Sequence, residues 1–403
     1  MSARRPWLSL LPCVIAIMAV ANLQYTWTLF ALPLKASLGA KLSAVQLGFT
    51  LYIVAQTWLA PFEGWLADRF APRPLVLAGG ALVALNWLGA GLAASLPALY
   101  ASCVLGGFGC GLVMAAGGRL ALLSFPGRRG LAIGIMSMAY GLGPVLAVVP
   151  IQRTIEASGY RRAFVVWGLI QAAIVLAAAC FVRPPAEAPA PRAAERAGGL
   201  PPLRVLKTYP FWLMYAIMSL VAVGGLVVTA QLAPMAESFG LTKATLVFGT
   251  GAITLAIMLD RITNAAARPF WGAVSDRLGR CETMALAFAC EAAAILLLSR
   301  SGGHPLRFVV LSGLAFFAWG EIFSLFPAVI ADVFGPDYAM ANYGLLFTSK
   351  GAASLFAGWG AARLIELRLP WTAVLLAAAA CDALAAAIAY FLLKPAVAKE
   401  TRS

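Results

Sequence analysis

Long apolar stretches separated by short polar segments recur along the whole chain. The first of them begins with residues 9–23, which contain no charged side chain. An α-helix needs roughly 20 apolar residues to cross the hydrocarbon core of a bilayer, so each stretch has the length of a transmembrane helix. Twelve such helices are predicted, at 9–34, 43–67, 74–94, 97–124, 129–152, 162–182, 209–233, 244–271, 281–300, 305–333, 339–364 and 370–393.

One connection is much longer than the others and is rich in proline, alanine and arginine. It predicts a linker at 184–208 between an N-terminal six-helix bundle at 1–183 and a C-terminal six-helix bundle at 209–403. Lys and Arg are more frequent on the side of the membrane that holds the two termini and the linker than on the opposite side. Because basic loops stay in the cytoplasm, both termini and the linker are predicted to be cytoplasmic.

Composition agrees with an all-α integral membrane protein. The chain is 62% hydrophobic and only 11% charged, whereas about a quarter of the residues of a soluble protein are charged. The net charge of +14 is attributed to the loops, so no nucleic-acid partner is expected. With a single histidine and with cysteines scattered through apolar stretches, no metal, cofactor or enzyme active site is expected. A monomer surrounded by lipid is expected.

A short motif occurs twice, about half a chain length apart. Residues 64–73 read GWLADRFAPR after the second predicted helix, and residues 272–280 read GAVSDRLGR after the eighth. The repeat resembles the signature of the major facilitator superfamily. That resemblance implies two parallel six-helix bundles with substrate held near the midplane. The resemblance also implies that the charged residues of the motif form a cytoplasmic latch between helices. The alternative is that the motif is only a basic cytoplasmic turn next to an aspartate at a helix end. The predicted latch residues are Asp68, Arg69, Asp276 and Arg277.

Three cations lie inside predicted transmembrane helices. An ionised group there costs at least ~2.5–3.5 kcal/mol on insertion scales, so it usually faces a cavity or a partner. At about 100° per residue, Arg261, Asn264 and Arg268 fall on one stripe of the eighth helix, and Lys350 lies in the middle of the eleventh. Arg268 and Lys350 together suit a carboxylate substrate, whereas Arg261 is expected to be structural. The alternative is neutralisation by an internal acid; the candidates are Asp260, Glu291, Glu321 and Asp382.

Five segments together resemble the bacterial oxalate:formate antiporters over nearly the whole chain. They are residues 23–30, 139–143, 264–280, 316–320 and 342–350. The resemblance implies that Arg268 and Lys350 hold the substrate carboxylates. It also implies that other residues line the pocket: Gln24, Tyr25, Tyr140 and Trp319.

Several pocket positions depart from that family. Met114 and Phe323 replace tyrosines, and Phe347 replaces a tryptophan, so the pocket is expected to be less polar. Glu321 adds an acid where the family has small residues. It is a candidate for proton coupling, and the alternative is that it pairs with a cation away from the site.

The expected function is secondary active transport of small carboxylates by alternating access in a bacterial inner membrane. An oxalate:formate-type antiporter is favoured. The first alternative is a proton-coupled monocarboxylate symporter. Proton-linked monocarboxylate transporters use a first-helix lysine and an acid four residues before the eighth-helix arginine. This chain lacks that lysine and has Asn264 at the second position, which favours antiport. The other alternative is a membrane sensor that does not transport.

Overall fold

The computed structural model describes residues 6–124, 129–183, 199–241, 244, 246, 251–335 and 338–400. Most of the predicted linker lies outside these ranges. The helices are α1 Pro6–Val20, α2 Asn22–Leu38, α3 Leu42–Trp58, α4 Ala60–Arg69, α5 Pro72–Leu92, α6 Leu96–Ser124, α7 Arg129–Phe181, α8 Pro202–Val205, α9 Tyr209–Ser238, α10 Ala252–Leu278, α11 Arg280–Ser299, α12 Pro305–Trp319, α13 Ile322–Phe334, α14 Ala339–Ser354, α15 Ala361–Glu366, α16 Trp371–Ile388 and α17 Lys394–Glu400. Two further segments are π-helical, Leu355–Gly360 and Ala389–Leu393.

Each of the predicted transmembrane stretches contains a helix in the described residues, but the eighth, predicted at 244–271, begins later and forms α10, Ala252–Leu278. Within those residues, eight helices are long and apolar enough to cross a membrane, or nine when the bent pair α3 and α4 is included. The 53-residue helix α7 contains the fifth and sixth predicted spans, which meet at a kink at Gly159, where φ is 81°. Helix α10 is long enough to cross a membrane but is not among these spans, and its sequence contains Asp260, Arg261, Arg268, Asp276 and Arg277. The charged residues of α10 therefore interrupt its hydrophobic pattern.

One predicted single helix is bent in the structure, and two others contain a one- or two-residue irregularity. The first comprises α1 and α2; Ala21 between them keeps α-helical φ and ψ, and Leu10–Leu38 forms one span. The second bends by 46° between α3 and α4, where Pro61 occupies the first turn of α4 and has no N–H to donate to α3. The tenth comprises α12 and α13; Gly320 and Glu321 between them keep α-helical φ and ψ, and Pro305–Phe334 forms one span.

The chain packs as two units. The first contains residues 1–39 and 51–195, and the second contains 40–50 and 196–403. The start of α3 therefore packs with the second unit, although it precedes the predicted linker. The predicted bundle boundaries, 1–183 and 209–403, stay a prediction.

Each unit has its own apolar core. In the first unit, Phe30, Trp87 and Phe164 form a ring cluster, with Phe30 stacked on Phe164 at 4.0 Å between ring centroids. In the second unit, the long helix α9 is largely buried along its length. These cores fix the backbones that carry the candidate site residues.

Candidate functional site

Two cations of the second unit lie against one phenyl ring. The Cζ atom of Arg268 is 4.7 Å from the ring centroid of Phe323, and the Nζ atom of Lys350 is 5.9 Å from the same centroid. Lys350 is also 5.2 Å from the ring of Phe347. Both cations are buried, with 8% and 1% of their surfaces exposed. We call these four residues the cationic cluster.

Helix α10 places Arg268 and Asn264 on the same face, as their spacing in the sequence predicts. The Nη2 of Arg268 donates to Oδ1 of Asn264, one turn earlier, at 3.3 Å. The guanidinium of Arg261, two turns before Arg268, lies 4.0 Å from the centroid of Phe316 on α12. The two arginines of one helix thus contact different rings.

Two close backbone approaches place Trp319 beside the cluster. Trp319 is fully buried and packs edge-to-face on Phe323, at 5.5 Å between ring centroids. A Cβ at Gly225 of α9 would overlap the Trp319 indole. A Cβ at Gly320 would lie 2.7 Å from the carbonyl oxygen of Asn264. Only glycine at these two positions therefore lets α9 approach Trp319 and α10 approach the junction of α12 and α13.

The segment after Lys350 is π-helical and is held by side chains from two other helices. Nε2 of Gln231 on α9 donates to the carbonyl oxygens of Gly358 and Ala357 at 2.7 and 3.2 Å. Oγ1 of Thr50 on α3 donates to the carbonyl of Ser354 at 2.9 Å. Side-chain donors thus satisfy carbonyls at a widened turn that begins five residues after Lys350. π-Helical turns are frequent at functional sites.

The start of α3 makes a second polar contact at the end of α15. The backbone N–H and the Oγ of Ser43 donate to the two carboxylate oxygens of Glu366, at 2.8 and 2.9 Å. Arg363 pairs with the same carboxylate at 3.1 Å. Burial alone would raise the pKa of Glu366, but these donors stabilise the carboxylate more and leave its pKa lowered.

Glu321 is fully buried, one residue after the Trp319–Gly320 pair. Neither of its carboxylate oxygens has a hydrogen-bond partner among the described residues. No salt bridge in the same ranges joins Glu321 to a cation. Sequence reasoning left open whether this acid pairs with a cation, and no such pair occurs in the part of the chain that the structure describes.

The candidate residues of the first unit form a neutral hydrogen-bonded chain. The Tyr140 hydroxyl on α7 donates to Oε1 of Gln24 on α2 at 2.6 Å, and Nε2 of Gln56 on α3 donates to that hydroxyl at 2.7 Å. Nε2 of Gln56 also lies 3.2 Å from the sulfur of Cys110 on α6. We call Gln24, Tyr140, Gln56 and Cys110 the amide–phenol network. Tyr25 packs edge-to-face on Tyr140 at 5.5 Å.

The family resemblance predicted Gln24 and Tyr140 as pocket residues, whereas Gln56 was not predicted. The available signal was a buried amide inside the second apolar stretch, since polar side chains in transmembrane helices usually have a function. Met114, on α6 as well, is half-buried.

The second copy of the repeated motif ends in an ion-pair network. Arg280 donates to Asp276 at 2.9 Å and to Asp332 of α13 at 3.3 Å, and it also contacts Oγ of Ser275. Arg277 is exposed. In the first copy, Arg69 stacks on Trp65 at 4.2 Å, whereas the side chain of Asp68 lies outside the described part of the structure.

These features define a multi-pass helical membrane transporter. Buried guanidinium and ammonium groups can hold an anionic ligand, and the repeated motif marks the two halves of the chain. The chain belongs to the major facilitator superfamily, because residues 13–264 match the family described as Major Facilitator Superfamily.

Individual relatives agree with this family. The chain is 34% identical over 394 residues to the "Oxalate:formate antiporter" of Oxalobacter formigenes, covering 96% of this chain and 91% of that protein. It is 27% identical over 373 residues to an "Uncharacterized MFS-type transporter" of Escherichia coli (strain K12), covering 87% and 86%. It is 41% identical over 93 residues to "Monocarboxylate transporter 13" of Bos taurus, covering 22% and 21%.

Proposed function

We propose that this transporter exchanges small carboxylates as an oxalate:formate-type anion antiporter. The observation that carries the proposal is the cationic cluster, in which Arg268 and Lys350 approach one phenyl ring from a buried position. A guanidinium offers a planar pair of donors to a carboxylate, and an ammonium offers a compact point charge. Buried cations of this kind favour an anion over a cation or a neutral solute.

The proposal includes a membrane location and a set of substrate contacts. The membrane is a bacterial cytoplasmic membrane, with both termini in the cytoplasm. Similarity to the oxalate:formate antiporter of Oxalobacter formigenes supports the substrate class. The proposed substrate-contacting residues are Arg268, Lys350, Gln24, Tyr25, Tyr140, Trp319, Phe323, Phe347 and Met114. Asp68, Arg69, Asp276 and Arg277 are proposed as the conformational latch.

Counterflow in liposomes tests the proposal. Vesicles containing the purified protein are loaded with unlabelled oxalate, and the uptake of labelled oxalate is followed. Rapid uptake is expected from the wild type. Arg268→Gln is expected to lower uptake about 30-fold or more, because a buried charge-assisted contact contributes about 2–5 kcal/mol.

Arg261→Gln is the matched control, because it removes the same charge from the same helix. If Arg261 is structural, well-folded Arg261→Gln protein keeps most of the uptake. Equal losses in the two variants would contradict the assignment of Arg268. If the protein takes up labelled lactate rapidly but neither oxalate nor formate, the substrate is a monocarboxylate of another kind and the oxalate:formate proposal is wrong.

A second candidate function is proton-coupled monocarboxylate symport through Glu321. The observation that favours it is the fully buried carboxyl with no hydrogen-bond partner among the described residues. An ionised carboxylate is costly to bury without partners, so such a group is suited to carrying a proton. Uptake driven by an imposed pH gradient and lost in Glu321→Gln would support symport. Uptake independent of the gradient in both proteins would exclude it.

A further inference from the structure

The direction of the hydrogen bonds in the amide–phenol network determines what Gln24 offers to a ligand. Tyr140 donates to Oε1 of Gln24, so the acceptor end of this amide is occupied. The Nε2 end of Gln24 is buried and has no hydrogen-bond partner among the described residues. Gln24 therefore has two N–H donors to offer, and a carboxylate ligand offers only acceptors.

Gln56 sets that direction. A tyrosine hydroxyl has one proton to donate and can also accept. Nε2 of Gln56 donates to the Tyr140 oxygen at 2.7 Å, and the Cys110 thiol, a weaker donor, donates to the same oxygen at 3.6 Å, so the amide is the stronger group at the acceptor side of the phenol. The phenolic proton then points to Oε1 of Gln24. Without Gln56, the phenol oxygen can accept from Gln24 instead, and the amide of Gln24 then turns its oxygen toward the ligand.

We infer that Gln56 is a specificity-determining residue that acts through Tyr140 to keep Gln24 in its donor orientation, and so favours anionic carboxylates. Gln56 is a positioning residue and need not contact the substrate. It is 5% exposed and is anchored on its other side by the sulfur of Cys110 at 3.2 Å. This inference rests on the proposed carboxylate transport.

A double-mutant cycle separates this role from general packing. The dissociation constant of oxalate is measured by calorimetry for wild type, Gln56→Leu, Tyr140→Phe and the double variant. Gln56→Leu is expected to weaken binding about 2- to 10-fold, the range of one net hydrogen bond. Because Gln56 acts only through the phenol, the double variant is expected to bind no more weakly than Tyr140→Phe. Independent, multiplying losses would overturn the inference.

The chain offers a matched control in Gln171. It is a buried glutamine of the same unit, 1% exposed, with no hydrogen-bond partner among the described residues. Gln171→Leu is expected to leave oxalate affinity within about twofold of wild type and to combine multiplicatively with Tyr140→Phe. Non-additivity for Gln171 equal to that for Gln56 would also overturn the inference. Gln56→Met replaces Gln56→Leu if the latter does not fold.

A readout that does not depend on the substrate separates this inference from the proposed function. The infrared S–H stretch of Cys110 is isolated as the difference between wild type and Cys110→Ser. This S–H band is expected to shift in Gln56→Leu, because that variant removes the amide that donates to the sulfur. The band is expected to keep its wild-type frequency in Gln171→Leu. If wild type binds no carboxylate but the shift occurs, the proposed function fails while the placement of Gln56 holds. An unshifted band contradicts the placement itself.

Discussion

The amide–phenol network of the first unit and the cationic cluster of the second unit have opposite chemistry. The network is neutral, and its side chains are joined by directional hydrogen bonds. The cluster has two buried positive charges against phenyl rings. Charge gives most of the attraction for an anion, whereas directional donors discriminate between ligands of similar charge. Under the proposed function, we expect the cationic cluster to contribute most of the affinity and the amide–phenol network most of the selectivity.

The largest expected effect is the loss of Lys350. Lys350→Met keeps the length and apolar stem but removes the charge, so oxalate binding and counterflow are expected to fall about 100-fold or more. Lys350→Arg keeps the charge and is expected to retain part of the activity. Equal activity of wild type and Lys350→Met would remove the basis for assigning affinity to the cationic cluster.

The next effect concerns the ring that both cations share. Phe323→Tyr adds a hydroxyl near Arg268 and Lys350 and is expected to strengthen oxalate binding about 2- to 10-fold, the range of one net hydrogen bond. Calorimetry measures the change. Phe317→Tyr, on the α12 ring that packs against Trp271 and Phe270, is the control and should leave affinity unchanged. If oxalate affinity rises in both variants, or in neither, Phe323 does not contact the substrate.

A different kind of effect, on stability and not on binding, is expected from the glycine that lets Trp319 approach α9. Gly225→Ala places a methyl group against the indole and is expected to cost about 1–3 kcal/mol, as overpacked cores do. The apparent unfolding temperature in detergent measures it. Gly344→Ala on α14 is the control, because a Cβ there meets nothing within 4 Å. Similar temperatures for the two variants would show that the close approach does not determine the position of Trp319.

The smallest expected effect is pH-dependent and lies at Glu366. Its pKa is lowered in the folded protein, so its contribution to stability is present above the ordinary glutamate pKa and is lost as the pH falls through the lowered value. Glu366→Gln is therefore expected to lower the apparent unfolding temperature at neutral pH, with the difference from wild type shrinking in acid. The exposed Glu237→Gln is expected to show no such difference. A gap between Glu366→Gln and wild type that persists unchanged in acid would contradict this account.

The sequence predicted the fold more completely than it predicted the site. Apolar length was enough to predict the helical stretches, and the stripe of α10 correctly placed Arg268 beside Asn264. Single-helix reasoning could not show that Phe323 contacts two cations, because that ring and those cations come from three helices. Gln56 and Gln231 were missed for the same reason. Their partners are distant in sequence, and only the tertiary fold brings them together.

The most direct test of the central claim compares a carboxylate with its neutral amide. Binding of oxalate and of oxamide is measured by calorimetry on purified wild type and on Lys350→Met. If the buried charges of the cationic cluster bind the ligand, wild type binds oxalate and not oxamide, and Lys350→Met loses most of that preference. Equal binding of both ligands by wild type, or an unchanged preference in Lys350→Met, would contradict the claim.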